Sequence, residues 1–315
     1  MQIIHDPCTQ VDFTRKGWAG LGNFDGIHLG HQLVIDLARQ NNPKGPVGVV
    51  TFFPHPLAVV DARRMPVQIL SLQQRIEILE AMGLDFTVVY TFNSEFAMQT
   101  PAQFLQHRLR RDLGLNGVAV GRDFLFGRDR AGDVDLLVDL GRQAGIEVAV
   151  ANDFVLEGGK VSSSRIRHVL QEGMVDLAKL FLGRPFFVDG KVVHGDGRGR
   201  SLGFPTVNMH VQPDLCLRDG VYAGAIRIGR GERIYPAACH IGPIPTFNKE
   251  ERTLEVHIIG LDEDLYDHDV RVWFVNRLRG IERFADADSL VKAIRQDVVS
   301  TTKIIKKQNP GTFRP

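Results

Sequence analysis

Gly22-Asn23-Phe24-Asp25-Gly26-Ile27-His28-Leu29-Gly30-His31 follows the apolar residues Trp18, Ala19 and Leu21 and precedes Leu33, Val34, Leu37 and Ala38, which recur at helical spacing. The stretch predicts a strand, a glycine-rich turn and the start of a helix. Such a turn aims backbone N–H groups and the positive end of a helix at one spot, which suits phosphate. His28 and His31 are three residues apart, so they share a face of a first helical turn. Two imidazoles there can hold the phosphates of a nucleotide. A tight turn with two surface histidines is the plainer reading, and the ordered set Gly22, Asp25, Gly26, His28, Gly30 and His31 weighs against it.

Around this stretch, apolar runs alternate with helical patterns. Val47–Phe53, Phe86–Tyr90, Gly117–Val120 and Ile146–Val150 read as buried strands of a sheet covered on both faces. Ser71 and Gln74 make a capping box ahead of Ile76 and Leu79, with Gly83 to close the helix. Thr100-Pro101-Ala102-Gln103 supplies a cap, a proline at the first helical position and a box partner, and that helix should run to Gly114. Asp133 can start another helix through Leu136, Leu137 and Leu140. The alternation predicts an α/β fold with a doubly wound parallel sheet, its ligand at the carboxyl ends of the strands. After the last strand, Ser162-Ser163-Ser164-Arg165-Ile166-Arg167 reads as ordinary helix capping when taken alone. With Arg167 one turn on, hydroxyls and a guanidinium could also converge on a polyphosphate.

With 315 residues, the chain has room for two cores. Net charge is +1, from 38 basic and 37 acidic residues, so no global field argues for nucleic acid or a membrane surface. The clusters Arg108/Arg110/Arg111 and Lys303/Lys306/Lys307 read as solvated faces. Three cysteines, Cys8, Cys216 and Cys239, form no C-x-x-C and suggest a reducing compartment. No stretch reads as a signal peptide or a membrane span. These features together fit a cytoplasmic enzyme.

Composition shifts near Gly183-Arg184-Pro185, giving expected domains of residues 1–183 and 184–315. Gly195-Asp196-Gly197-Arg198-Gly199-Arg200 is glycine-rich, but no helix is expected after it, and Phe204–Met209 reads as extended. Tyr222, Ile226 and Ile228 then share a face opposite Arg227, and Leu254, Val256 and Ile258 oppose Glu255 and His257. Short strands with Gly229, Gly231, Gly242 and Gly260 at the turns argue for an all-β barrel or sandwich. An amphipathic helix from Asp286 or Asp288 through Leu290, Val291, Ile294 and Val298 lies on it. Thr206 and Asn208 are two apart on an extended segment and point the same way. They can hold Mg²⁺ and nucleotide phosphates, although as an isolated pair they read better as a strand start. Glu255 is a carboxylate in an otherwise apolar strand, either a solvent-facing residue or a general base for an alcohol attacking ATP.

Gly22–His31 with Ser163-Ser164-Arg165-Ile166-Arg167 resembles the HxGH nucleotidyltransferase superfamily. Thr51-Phe52-Phe53-Pro54-His55-Pro56 and Gly121-Arg122-Asp123-Phe124-Leu125-Phe126-Gly127 narrow the resemblance to the adenylyltransferase module of bacterial bifunctional riboflavin kinase/FAD synthetases. In the second half, Gly199–Asn208, Gly220-Val221-Tyr222-Ala223 and Leu254-Glu255-Val256-His257 resemble the riboflavin kinase family in order and spacing. The resemblance spans residues 12 to 305 and implies a six-stranded Greek-key barrel with a C-terminal helix behind an HxGH-type domain.

It also implies the chemistry. Riboflavin is phosphorylated to FMN in the barrel, and FMN is adenylylated to FAD in the first domain, with ATP as co-substrate and Mg²⁺ required. Gly22, Phe24, Asp25, Gly26 and Gly30 shape the nucleotide turn. His28, His31, Ser163, Ser164 and Arg167 hold the ATP phosphates, Asp123 meets metal or substrate, and Phe126 packs on the flavin. In the barrel, Gly199, Gly203, Pro205, Thr206 and Asn208 serve MgATP, with Thr206 and Asn208 at the metal. Glu255 is the base toward the ribityl 5′-hydroxyl, and Arg279 falls in the flavin-closing loop.

The chain departs from the family pattern at several places. Phe53 stands for Asp, Leu125 for a basic residue, His240 for Asn and Ile244 for Arg. Gly280-Ile281 stands for an acidic pair, and Asp267 for Gly. A protein with only the adenylyltransferase active would make no FMN from riboflavin. A flavin-binding regulator would bind RNA with steep salt dependence. A nucleotidyltransferase for another acceptor would leave FMN untouched. His28, His31 and Glu255 argue for the bifunctional enzyme, with no nucleic acid or membrane as partner and with self-association into a homo-oligomer left open.

Overall fold

Every strand expected in the first half forms, and one more joins them. The computed structural model describes residues 1–195, 198–210, 215–229, 231–244 and 249–313. Asp196 and Gly197 of the glycine loop, and the side chain of Ile244, lie outside the described residues. The chain separates into a first unit, Met1 to Ser163, and a second that begins at Ser164.

In the first unit, β1 (Gln2–His5), β2 (Trp18–Leu21), β3 (Val47–Phe53), β4 (Phe86–Thr91), β5 (Gly117–Gly121) and β6 (Glu147–Ala151) form a parallel sheet in the order β1-β4-β3-β2-β5-β6. The chain winds outward from β2 through β3 to β4, then crosses to β5 and β6. The strand order therefore reverses between β2 and β5, and a crevice opens there at the carboxyl ends. Residues 2–5 offer two apolar residues in four, too short a signal to read as a strand. Pairing of Gln2–His5 with Phe86–Val89 at the sheet edge decides it.

Helices α1 (Leu29–Asn41), α2 (Pro56–Val60), α3 (Leu72–Ala81), α4 (Ser94–Ala97), α5 (Pro101–Gln103) and α6 (Val134–Ala144) connect the strands. The capping boxes at Ser71/Gln74 and Thr100/Gln103 are both complete, and Asp133 accepts from the Leu136 N–H at 2.9 Å. The helix expected from Thr100 to Gly114 widens after Gln103 into a π-helical stretch, Phe104–Asp112. There Phe104, Leu105 and Leu109 are buried. Arg108 and Arg111 reach the fully buried Asp112 at 3.2 and 2.8 Å. Two residues of that basic cluster thus serve a buried carboxylate instead of a wholly solvated face, whereas Lys303, Lys306 and Lys307 are exposed as expected. A hairpin of β7 (Val155–Leu156) and β8 (Gly159–Lys160) leads into α7 (Ser163–Gln171) and α8 (Val175–Leu182).

The second unit holds β9 (Phe186–Val193), α9 (Arg198–Ser201), β10 (Val207–Met209), β11 (Gly220–Ile228), β12 (Ile234–Ile244), β13 (Lys249–Ile258) and β14 (Asp269–Arg279). The strands close an antiparallel barrel in the order β10-β13-β12-β11-β14-β9. β11, β12 and β13 meander and β14 returns beside β11, which is a Greek key. Leu254, Val256, Cys239 and Ile241 are fully buried, so strand alternation puts Glu255, His257 and His240 on the other face of the wall. The helix α10 (Ala287–Lys306), capped by Asp286 through the Ser289 N–H, packs across β11 and β12. One helical turn, α9, forms from the end of the glycine-rich stretch, where none was expected. It spans four residues, Gly203 lies two residues beyond it in the left-handed region (φ +83°), and the chain is extended from there into β10. Among the described residues, no helix is long and apolar enough to cross a membrane.

Candidate active sites

The first site is built by the turn between β2 and α1. His28 caps α1: its Nδ1 accepts from the His31 N–H at 3.2 Å, so its proton sits on Nε2. The two rings stack with centroids 3.7 Å apart and planes 17° from parallel. Gly30 lets the rings pack closely here. A Cβ there would stand 3.2 Å from the His28 ring and 3.4 Å from the Val161 carbonyl. Phe24 is buried beneath, its ring 5.2 Å from that of His31. Gly22, Phe24, His28, Gly30, His31 and Ser163 all line one cavity of about 470 Å³ at the carboxyl ends of β2 and β5.

Asp25 and Gly26 do not line that cavity. Gly26 makes the turn in the left-handed region (φ +87°). The Asp25 carboxylate, buried, accepts from the backbone N–H groups of Ile69 and Leu70 at 3.0 and 3.1 Å. The Ser163 hydroxyl donates to the Asp25 carbonyl at 2.8 Å, which fastens the serine loop beside the glycine turn. Ser164 and Arg167 lie on α7 in the second unit, where the Arg167 carbonyl accepts from the Cys216 thiol at 3.6 Å.

Three residues that the sequence reading left unassigned complete this end. Arg75 of α3 is buried and donates to the Asn23 carbonyl at 2.7 Å. Burial lowers its pKa, and Asp25 partly offsets the effect. Arg75 shares the buried helix face of Ile78 and Leu79, and a cation at that spacing was the available signal. His55 lines the cavity and caps α2, its Nδ1 accepting from the Leu57 N–H at 3.2 Å. Lys160 on β8 bridges Asp123 and Asp153 at 3.0 and 2.8 Å. Burial works to lower its pKa, but the two carboxylates outweigh that and leave it raised. Asp123 is thus at the cavity mouth, paired with a lysine.

The opposite end of the cavity is aromatic. Phe126 lines it but is largely buried, stacked on Phe124 at 5.6 Å and tilted against Phe104 at 5.8 Å. The more accessible of the stacked pair is Phe124, which the motif contained without a role.

The second site lies on the barrel wall. Gly199, Thr206, Glu255 and Arg279 line a cavity of about 140 Å³ between the strands and α10. Thr206 also lines a smaller neighbouring cleft with Pro205, Arg200 and Tyr266, so it stands between two openings. Asn208 lies opposite Glu255 in the β10–β13 register. Gly195 and Gly199 form a cradle around Thr206 and Asn208. A Cβ at Gly199 would stand 3.1 Å from the Thr206 hydroxyl, and one at Gly195 would overlap the Asn208 amide. The Pro205 carbonyl is held by His257 Nδ1 at 2.8 Å. Arg279 ends β14 with its guanidinium on Asp297 of α10, 2.9 Å at the closest, and 5.4 Å from the Phe284 ring centroid. Asp297 is therefore part of the wall; burial raises its pKa and Arg279 partly restrains the shift. An acidic residue on the apolar face of a C-terminal helix gave no pattern to read.

Residues 11–165 match the family described as FAD synthetase, and residues 182–305 the one described as riboflavin kinase. The bifunctional riboflavin kinase/FMN adenylyltransferase of Escherichia coli strain K12 is 33% identical over 293 residues, covering 92% of this chain and 93% of its own. The protein of that name from Bacillus subtilis strain 168 is 35% identical over 292 residues, covering 90% of each chain. A crystal structure described as a macrolide-efflux protein from Streptococcus pneumoniae superposes with a TM-score of 0.84 at 29% identity, covering 96% of this chain and 99% of its own.

Proposed function

This chain belongs to the bifunctional riboflavin kinase/FMN adenylyltransferase family, and from that premise we propose that residues 184–315 phosphorylate riboflavin to FMN while residues 1–183 adenylylate FMN to FAD. One observation carries the division: the residues of each motif set converge on a separate cavity, His28, His31 and Ser163 on one, Thr206, Glu255 and Arg279 on the other.

In the first cavity a phosphate oxygen of FMN attacks the α-phosphorus of ATP. The new P–O bond forms as the bond to the β-phosphate bridge breaks, and pyrophosphate leaves. The nucleophile is already anionic, so the protein's work is positioning and charge neutralisation. The stacked His28 and His31 and the N-terminus of α1 meet the polyphosphate, with Ser163 assisting. Lys160 and Asp123 sit at the mouth, and the aromatic end with Phe124 and Phe126 receives the flavin ring.

In the second cavity Glu255 takes the proton of the ribityl 5′-hydroxyl, whose oxygen attacks the γ-phosphorus of ATP and releases ADP. Gly203 and Pro205 shape the approach to Thr206, and Arg279 bounds the flavin side. Thr206 and Asn208 offer oxygen donors in a glycine cradle that a side chain would fill, which fits Mg²⁺ with nucleotide phosphates and waters as its other ligands. Bound there, the ion would neutralise phosphate charge in transfer.

The test is chromatographic. The purified protein is incubated with ATP, Mg²⁺ and either riboflavin or FMN. FMN followed by FAD from riboflavin supports both assignments; FAD from FMN alone would remove the kinase.

A further inference from the structure

On the outer face of the barrel wall, β12 sets His240 directly opposite Glu255 of β13. Its chain neighbours Cys239 and Ile241 are fully buried on the inner face. Alternation therefore turns the imidazole toward the cavity it shares with Glu255, Thr206 and Arg279. Its Nδ1 is sealed from solvent and has no hydrogen-bond partner among the described residues. A contact with a ligand in the cavity therefore falls to the other ring nitrogen, Nε2. The neighbouring cation does not compete for a ligand there, because Arg279 is bonded to Asp297. The ring is neutral at pH 7, since burial and Arg279 push its pKa down to about 4 against the pull of Asp219. With Nδ1 sealed, the neutral imidazole offers the cavity one nitrogen, a donor or an acceptor according to its tautomer. The rest of the cavity is largely apolar, with Leu202, Phe204, Phe284 and Ile294 among its walls. A ligand with an apolar body and a hydroxylated chain satisfies this lining, its chain lying along the side of Glu255 and His240.

We propose that His240 is a specificity-determining residue of the kinase site, hydrogen-bonding a secondary hydroxyl of the ribityl chain beside the terminal hydroxyl that meets Glu255. The proposal rests on the kinase reading of this cavity. Directly opposed residues on paired strands hold their Cβ atoms about 4.5–5.5 Å apart. His240 and Glu255 therefore address neighbouring hydroxyls of one chain, and the flavin ring lies farther along. A site built to hydrogen-bond a hydroxyl rejects an analogue without it, because the protein's polar group is then left unpaired.

The experiment compares riboflavin with a flavin whose side chain keeps the terminal hydroxyl but has hydrogen at the secondary positions. Each is assayed for phosphorylation and, by flavin fluorescence with ADP and Mg²⁺, for binding. The unaltered protein is expected to prefer riboflavin by roughly ten- to hundredfold in kcat/KM, the cost of one polar group left unpaired. His240→Phe should shrink that preference severalfold, mostly through KM for riboflavin, and His240→Gln should restore part of it. Equal preference in the unaltered protein and His240→Phe, with both folded by circular dichroism, would overturn the proposal. If riboflavin is bound but never phosphorylated, the kinase assignment fails, while the binding ratio still decides the role of His240.

Discussion

The rings of His28 and His31 lie one on the other, 3.7 Å between centroids, with the His31 N–H closing onto His28 Nδ1 at 3.2 Å. The pair is thus a helix cap and, in the proposed function, the surface that meets ATP. Removing the second ring takes away the proposed contact to the polyphosphate and leaves the backbone N–H of the cap in place. His31→Ala is expected to lower FAD formation from FMN by about 10²–10³-fold and to leave riboflavin phosphorylation unchanged. Timed separation of the three flavins measures both. His28→Ala should lose the same activity and, with the cap, about 1 kcal/mol of stability in urea unfolding.

Asp25 holds the turn instead of lining the cavity. Its carboxylate accepts from Ile69 and Leu70, and Arg75 is the nearby buried cation. Asp25→Ala leaves the buried N–H groups of Ile69 and Leu70 without their acceptor, while Arg75 keeps the Asn23 carbonyl. It should cost roughly 1–3 kcal/mol of stability, read from chemical denaturation. An Asp25→Ala protein as stable as its parent but inactive would instead make Asp25 a ligand contact.

Glu255→Gln keeps the shape of the side chain and removes the proposed base. Riboflavin phosphorylation should fall about 10²–10⁴-fold, and FAD should still form from added FMN. Loss of both reactions in a folded variant would contradict separate sites.

His240 ties stability to pH. Its pKa falls from 6.5 to about 4 on folding, through burial first and Arg279 second. Across that window the unfolded chain binds more protons than the folded one, so stability is full above pH 6.5 and is lost as pH falls toward 4. His240→Asn should flatten the acid side of a plot of urea midpoint against pH and leave the neutral range unchanged. Parallel curves would count against a neutral buried ring.

The strand–turn–helix of residues 18–41, the capped helices and the alternating barrel strands were legible because each depends on neighbours in sequence: periodicity, a cap three residues away, a glycine at a turn. The motif residues were legible for the same reason. Lys160 and Asp297 were not, and for Arg75 only its place on a buried helix face was, because their partners Asp123, Arg279 and Asn23 are brought near by folding alone. The edge strand at Gln2–His5 is likewise defined by a partner more than eighty residues away.

By itself, the sequence determined the two kinds of architecture, the histidine pair on one helical face and the presence of Thr206, Asn208 and Glu255 on extended segments, since local spacing dictates which way side chains point. Only the tertiary structure decided what each one meets. It turned Asp25 from the cavity to the Ile69–Leu70 backbone, bound Arg279 to Asp297 and set His240 across from Glu255. The physical reason is that burial and hydrogen-bond partners are properties of the packed chain, and strand register joins residues that no local pattern connects.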